Sequence, residues 1–314
     1  MSHRQQPRLP ASVPAMTLLL LLLMATVVPA ADAAGQATGS TTWTPAMSVI
    51  VPVEPYVLIV ERIAAGRADV HTLVPPGQSP HTYSPTPQQI AAFAGADVLF
   101  QVQLELEQGL VPKLQELSED LLVVDLMPVE TNSRGVSTRV HNHESGHDPH
   151  VWLNPVSLVR QATLIAETLA ELDPAGAEVY AAGRDSLVRY LTSLDEELSS
   201  RLKNLTGLRF YVFHPAYGHF AEAYDLEQVA IEADGKEPSA KRLAELVDMA
   251  RGDNARVIIA QPQHSDATVR TLAREIDAEI VSIDPLAYDL FATLRALADA
   301  VAQDAEQDTE DVQP

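Results

Sequence analysis

Three histidines and one aspartate stand where short apolar runs of the chain come to an end. His81 closes the segment Pro76-Gly77-Gln78-Ser79-Pro80-His81, after a run at 70–75. His214 directly follows the run at 208–213, and Asp284 directly follows the run at 279–283. His150 lies in Asp148-Pro149-His150-Val151-Trp152, downstream of the run at 121–126. One histidine beside a strand end is usually a packing residue. Four potential ligands at equivalent places, two from each half of the chain, suit a shared metal. Three neutral imidazoles and a carboxylate complete a tetrahedral shell for Zn2+, and imidazole nitrogen also suits other transition metals.

A second group lies just upstream, where His141, His143 and His147 make a short histidine-rich loop before His150. Such a loop is either an accessory site for a weaker second ion or a solvated connection. Within it, His143-Glu144-Ser145-Gly146-His147 matches the H-E-x-x-H pattern of zinc peptidases. That chemistry requires a helix, which sets both imidazoles on one face beside the glutamate base. Gly146 inside the motif and Asp148-Pro149 just after it read as loop. The match is therefore accidental. The chain also lacks a G-x-S-x-G elbow, a phosphate-binding G-x-x-x-x-G-K and a dinucleotide fingerprint. Binding rather than catalysis is the expectation.

The elements that must carry these residues are legible. Short β-rich runs fall at 48–53, 70–75, 97–102 and 121–126, and again at 208–213, 226–231, 256–260 and 279–283. Helical spacing fills the intervals at 87–94, 239–250 and 267–276. Strands alternating with helices imply parallel sheets, four strands and then four more. In open parallel sheets ligands bind beyond the carboxyl ends of the strands, where the four candidate ligands lie. Between the two sets, Val179, Leu187, Leu191, Leu194 and Leu198 keep helical spacing, and Asp173-Pro174 reads as an N-cap with a first-turn proline. A helix over 174–205 would be about 45 Å long, enough to join two lobes.

Arg4 and Arg8, the apolar run beginning Leu18 to Leu23, and Ala31-Asp32-Ala33 form a signal-peptide pattern over residues 1–33. The chain has no cysteine, which excludes disulfides, thiolate ligands and a lipid-accepting cysteine. Without residues 1–33 the chain carries 19 basic and 42 acidic side chains. Such acidity argues against nucleic acid or anionic lipid as partners. The expected divisions are 34–173, a first metal-binding lobe; 174–205, the linking helix; 206–303, a second lobe; and 304–314, an acidic disordered tail.

Pro80-His81 after a proline–glycine turn, Asp148-Pro149-His150-Val151-Trp152-Leu153-Asn154-Pro155, Phe213-His214-Pro215-Ala216-Tyr217-Gly218-His219-Phe220 and Asp284-Pro285-Leu286 resemble the motifs of zinc and manganese ABC-transporter solute-binding proteins. The resemblance extends over nearly the whole chain beyond residue 33. It implies an α/β fold of two (β/α)₄ lobes joined by a rigid helix, with one metal in the cleft between them. It also implies periplasmic delivery of Zn2+ by a monomer to an ABC membrane permease. The family's ligands correspond to His81, His150 and His214, with Asp284, water or another carboxylate fourth. His214 favours zinc, since manganese members tend to carry glutamate there. Gln261 stands where the family commonly has glutamate, and His264 is expected behind the site or at the surface. Tyr217 and Asn154 are the candidate side chains for orienting the imidazoles.

Overall fold

The apolar runs at the centre of each sheet become strands that are buried on both faces. Val49, Ile50 and Val51 are wholly buried in β1 (Met47–Val51), and all of β7 (Val257–Ala260) is buried. The computed structural model describes residues 45–127, 148–232, 236–263 and 267–310. Within them, β1, β2 (Ala68–Thr72), β3 (Val98–Gln101) and β4 (Leu122–Asp125) form a parallel sheet in the order β2-β1-β3-β4. A second parallel sheet repeats that order as β6-β5-β7-β8, from β5 (Arg209–Val212), β6 (Glu227–Ala230), β7 and β8 (Glu279–Ser282). Each of the eight strand runs read from the sequence overlaps one of these strands, and β1 and β2 begin one and two residues earlier than read.

Helices α1 (Glu54–Ala64), α2 (Pro87–Phe93) and α3 (Glu105–Leu117) follow the first three strands. Next come α4 (Pro155–Leu172) and the long α5 (Ala177–Leu202). Helices α6 (Gly218–Ala223), α7 (Ala240–Gly252), α8 (Ala267–Ile276) and α9 (Leu290–Glu310) belong to the second half. Their starts are chemically marked. Thr86 and Gln89 form a reciprocal capping box at α2, Asn154 accepts from the backbone of Val156 and Ser157 at α4, and Ser239 accepts from Arg242 N at α7.

The sheets share one core. Leu187, Leu191, Leu194, Leu198 and Leu202 of α5 are buried in a cluster that also takes in β1, α1, α4, Phe210, Phe220 and α9. Each such leucine contributes about 2 kcal/mol of transfer free energy. Gly183 permits the closest approach, because a Cβ there would lie 2.5 Å from the Ile63 carbonyl oxygen of α1. Smaller clusters fill the outer layers, under α2 and α3 on one side and α7 and α8 on the other. Polar fasteners join the halves: Trp152 Nε1 donates to Pro285 O (2.8 Å), Tyr288 Oη donates to Glu61 (2.5 Å), and the Arg62 guanidinium lies over Tyr190 and Phe291. The described residues belong to one compact unit.

Four local expectations change. The linking helix begins at Ala177, preceded by a 3₁₀ turn at Pro174–Gly176, and its 26 residues span about 39 Å. Asp173 does not cap it; its carboxylate instead accepts from Arg67 and from Tyr180 Oη. Val179 is 38% exposed, and the neighbouring Tyr180 is the buried residue. The acidic end is not a disordered tail from residue 304, because α9 continues to Glu310. Asp304 is buried and accepts from the backbone N–H groups of Arg256 and Val257, tying α9 to the start of β7.

Glu107 is nearly fully buried in the first turn of α3. Its Oε2 accepts from Leu104 N (2.7 Å) and Val102 N (3.2 Å), and its Oε1 has no partner among the described residues. Burial pushes its carboxyl up from 4.5 to about 8 despite those backbone donors. The folded state therefore keeps a proton that the unfolded chain releases. The resulting stability is complete below pH 4.5 and is lost as pH rises through about 8. Glu107→Gln, which mimics the protonated group, is expected to gain in Tm over wild type as pH rises from 6 to 9. A Tm difference constant across that range would refute this account.

Candidate metal centre

The centre is built at the carboxyl ends of strands from both sheets. His81 comes from the loop between β2 and α2, and His150 begins the short 3₁₀ turn leading into α4. His214 lies two residues beyond β5, the strand beside the reversal of strand order in the second sheet. His214 Nε2 is 3.1 Å from His81 Nε2 and 3.4 Å from His150 Nε2. The ligand atoms of all three lie within 4.8 Å of one another. A tetrahedral zinc with Zn–N bonds of 2.0–2.1 Å separates its donors by about 3.3 Å. Two of the three nitrogen pairs already sit close to that spacing.

Carboxylates decide which ring nitrogens face inward. His150 Nδ1 donates to Asp148 Oδ1 (2.6 Å), which also accepts from His150 N (3.0 Å). His214 Nδ1 donates to Glu232 Oε1 (2.5 Å). With the protons on Nδ1, both Nε2 atoms carry lone pairs toward the centre. Neither can donate to the other, so a cation between them relieves the opposition. Gln261 fixes the His214 backbone from both sides, accepting from its N–H (3.0 Å) and donating to its carbonyl (2.9 Å).

The electrostatics favour the neutral form of His81 and His214. Burial first, and the neighbouring His214 second, lower the His81 pKa below the ordinary 6.5. Burial likewise lowers that of His214, against the opposing pull of Glu232. Burial alone would raise the Asp148 carboxyl, but the charge and hydrogen bond of His150 bring it down to about 2. Asp148 is therefore an anion throughout the physiological range. The histidines line a small cavity closed by Ser79, Pro80, Gln263, Pro285 and Leu286.

The other anticipated residues fall elsewhere. Asp284 stands outside the three-histidine group; its Oδ1 accepts from Gln263 Nε2 (2.6 Å) and Leu286 N (2.8 Å). Tyr217 and Asn154 do not orient the imidazoles. Tyr217 Oη donates to Ile283 O, and Asn154 caps α4 and donates to His219 O. Asp148 and Glu232 perform that role. Their signal was available: Asp148 precedes His150 by two residues, and Glu232 follows β6 by two. His141, His143, His147, the H-E-x-x-H segment and His264 lie outside the described residues.

Two α/β lobes sharing one core, with three imidazoles meeting between them, define a two-lobed metal-binding protein. The chain belongs to the family of zinc-uptake complex component A, periplasmic, which matches residues 49–303. It is 30% identical over 251 residues to the high-affinity zinc uptake system protein ZnuA of Bacillus subtilis, covering 76% of this chain and 78% of that protein. It is 28% identical over 283 residues to the zinc-binding lipoprotein AdcA of Streptococcus pneumoniae, covering 86% of this chain. That match spans only 55% of AdcA, so the chain corresponds to about half the length of that relative. A crystal structure of a ZnuA superposes with a TM-score of 0.75 at 35% identity, covering 82% of this chain and 98% of the other.

Neutralising the carboxylate behind an imidazole tests its contribution directly. Glu232→Gln is expected to weaken metal binding about 10- to 100-fold in a competition titration, with little change in the apo Tm. Unchanged affinity would remove Glu232 from the site.

Proposed function

We propose that this chain is a periplasmic zinc-capture protein, a monomer that delivers Zn2+ to the membrane permease of an ABC importer and performs no catalysis. The observation that carries the reading is the pair of Nε2 atoms from opposite lobes, 3.4 Å apart, each with its Nδ1 committed to a carboxylate. Family membership and the zinc-related names of the relatives support the same cargo. Among the described residues no helix is long and apolar enough to cross a membrane.

In this proposal His81, His150 and His214 bind the ion through Nε2. Asp148 and Glu232 offset its two positive charges from behind, and a bound Asp284 would leave the loaded site with one net negative charge. Asp284 is the candidate for the fourth position, reached by turning its carboxylate away from Gln263. A full shell of protein ligands leaves no bound water to activate, which suits capture without turnover. The nitrogen-rich set favours zinc over manganese, which prefers oxygen donors. The loop with His141, His143 and His147 is proposed as an accessory that collects a second, weaker ion.

Calorimetric titration of the metal-stripped protein tests the whole assignment. One tight zinc site with much weaker manganese binding is expected, and it should survive removal of His141, His143 and His147. His150→Ala and His214→Ala should each lower affinity more than 100-fold. Asp284→Asn should lower it about tenfold or more; unchanged affinity would give the fourth position to water. Loss of all tight binding with the loop would refute a site between the lobes.

A further inference from the structure

His219 is buried in α6, and neither the ligand set nor the carboxylates behind it account for its ring. Its Nε2 lies 3.0 Å from the carbonyl oxygen of Asp148. A carbonyl only accepts, so Nε2 carries the proton and donates. Asp148 is the residue whose carboxylate holds both the ring and the backbone N–H of His150. A second bond runs the other way: Asn154 Nδ2 donates to the His219 carbonyl (3.3 Å). One residue of the second lobe thus grips both ends of the segment that carries His150.

The surroundings show how tight this contact is. A Cβ on Gly218 would stand 2.7 Å from Asp148 Oδ2, so a larger residue there would press on the carboxylate that holds His150. Between the two gripped ends, Trp152 Nε1 donates to Pro285 O, again in the second lobe (2.8 Å). Residues 148–154 therefore place three hydrogen bonds on the opposite lobe. His150 is supplied by the first half of the sequence, while its position is set from the second half.

We propose that His219 is a positioning residue for metal retention, holding the Asp148–His150 segment against the second lobe so that all three ligands stay in register. The proposal rests on the capture reading of the histidine cluster. It implies that separating the lobes near α6 pulls Asp148, and with it His150, away from His81 and His214. Release of the ion is then coupled to lobe separation through a contact that never touches the ion.

The test is the rate of zinc loss to a fast chelator from wild type, His219→Phe and His219→Gln. Phe keeps the ring volume without the donor, while Gln returns an N–H near the Nε2 position. His219→Phe is expected to release zinc about tenfold faster with an unchanged association rate, and His219→Gln to recover most of the difference. The apo Tm should not follow this order, which separates positioning from general stabilisation. Equal release rates in all three proteins would overturn the proposal. So would equal acceleration in both variants with a matching loss of Tm. Failure of the wild type to bind zinc tightly would overturn the capture reading, and this inference with it.

Discussion

The structure depends on holding imidazole lone pairs against one another at one place. Left alone, His150 and His214 would turn or take up protons. The hydrogen bonds to Asp148 and Glu232 prevent rotation by fixing the proton on Nδ1. Burial keeps His214 from protonating easily by lowering its pKa. What remains is a set of donors arranged for a small cation. The ordering entropy of the site has been met by folding, which is the general route to tight binding.

Pre-arrangement of that kind requires that the lobes keep their distance. Two domains joined by a flexible hinge would let His150 and His214 drift by more than the few tenths of an ångström that coordination tolerates. Here the leucines of α5 lie in one hydrophobic cluster with residues from both sheets. Gly183 lets α1 and α5 pack backbone to backbone, and Arg62 is held over the rings of Tyr190 and Phe291. The lobes form one packed body, so a relative shift must be small and must break specific contacts. The bonds around residues 148–154 lie nearest the ligands and are the contacts whose loss matters most.

Much of this was legible in the sequence, for a physical reason. Strand and helix positions follow from short-range periodicity, so the eight apolar runs found the eight strands, and 267–276 found α8 to the residue. The three histidines were legible because a parallel sheet sends its carboxyl ends to one edge. The orienting groups were harder to find because their partnerships have no period. Glu232 reaches His214 across 18 residues, and His219 reaches Asp148 across 71. Local rules also misled: Asp173 has the form of a helix cap, yet Arg67 and Tyr180 claim its carboxylate. Asp304 stands in an acidic, polar stretch, yet its carboxylate accepts from the backbone N–H groups of Arg256 and Val257 at the head of β7, which draws it into the fold.

Two buried carboxylates show why composition alone could not have located the centre. Asp148 and Glu107 are both withdrawn from water, and for each burial is the largest influence on its titration. Asp148 faces His150 and His219, and its carboxyl falls to about 2. Glu107 faces backbone N–H groups and the like charge of Asp125, and its carboxyl rises to about 8. Near neutral pH the first is an anion able to offset a metal's charge, whereas the second is a neutral capping group inside α3. An acidic chain has 43 aspartates and glutamates from which to choose. Asp148 is set apart from the rest by its bond to the His150 ring, and that pairing is a property of the folded chain.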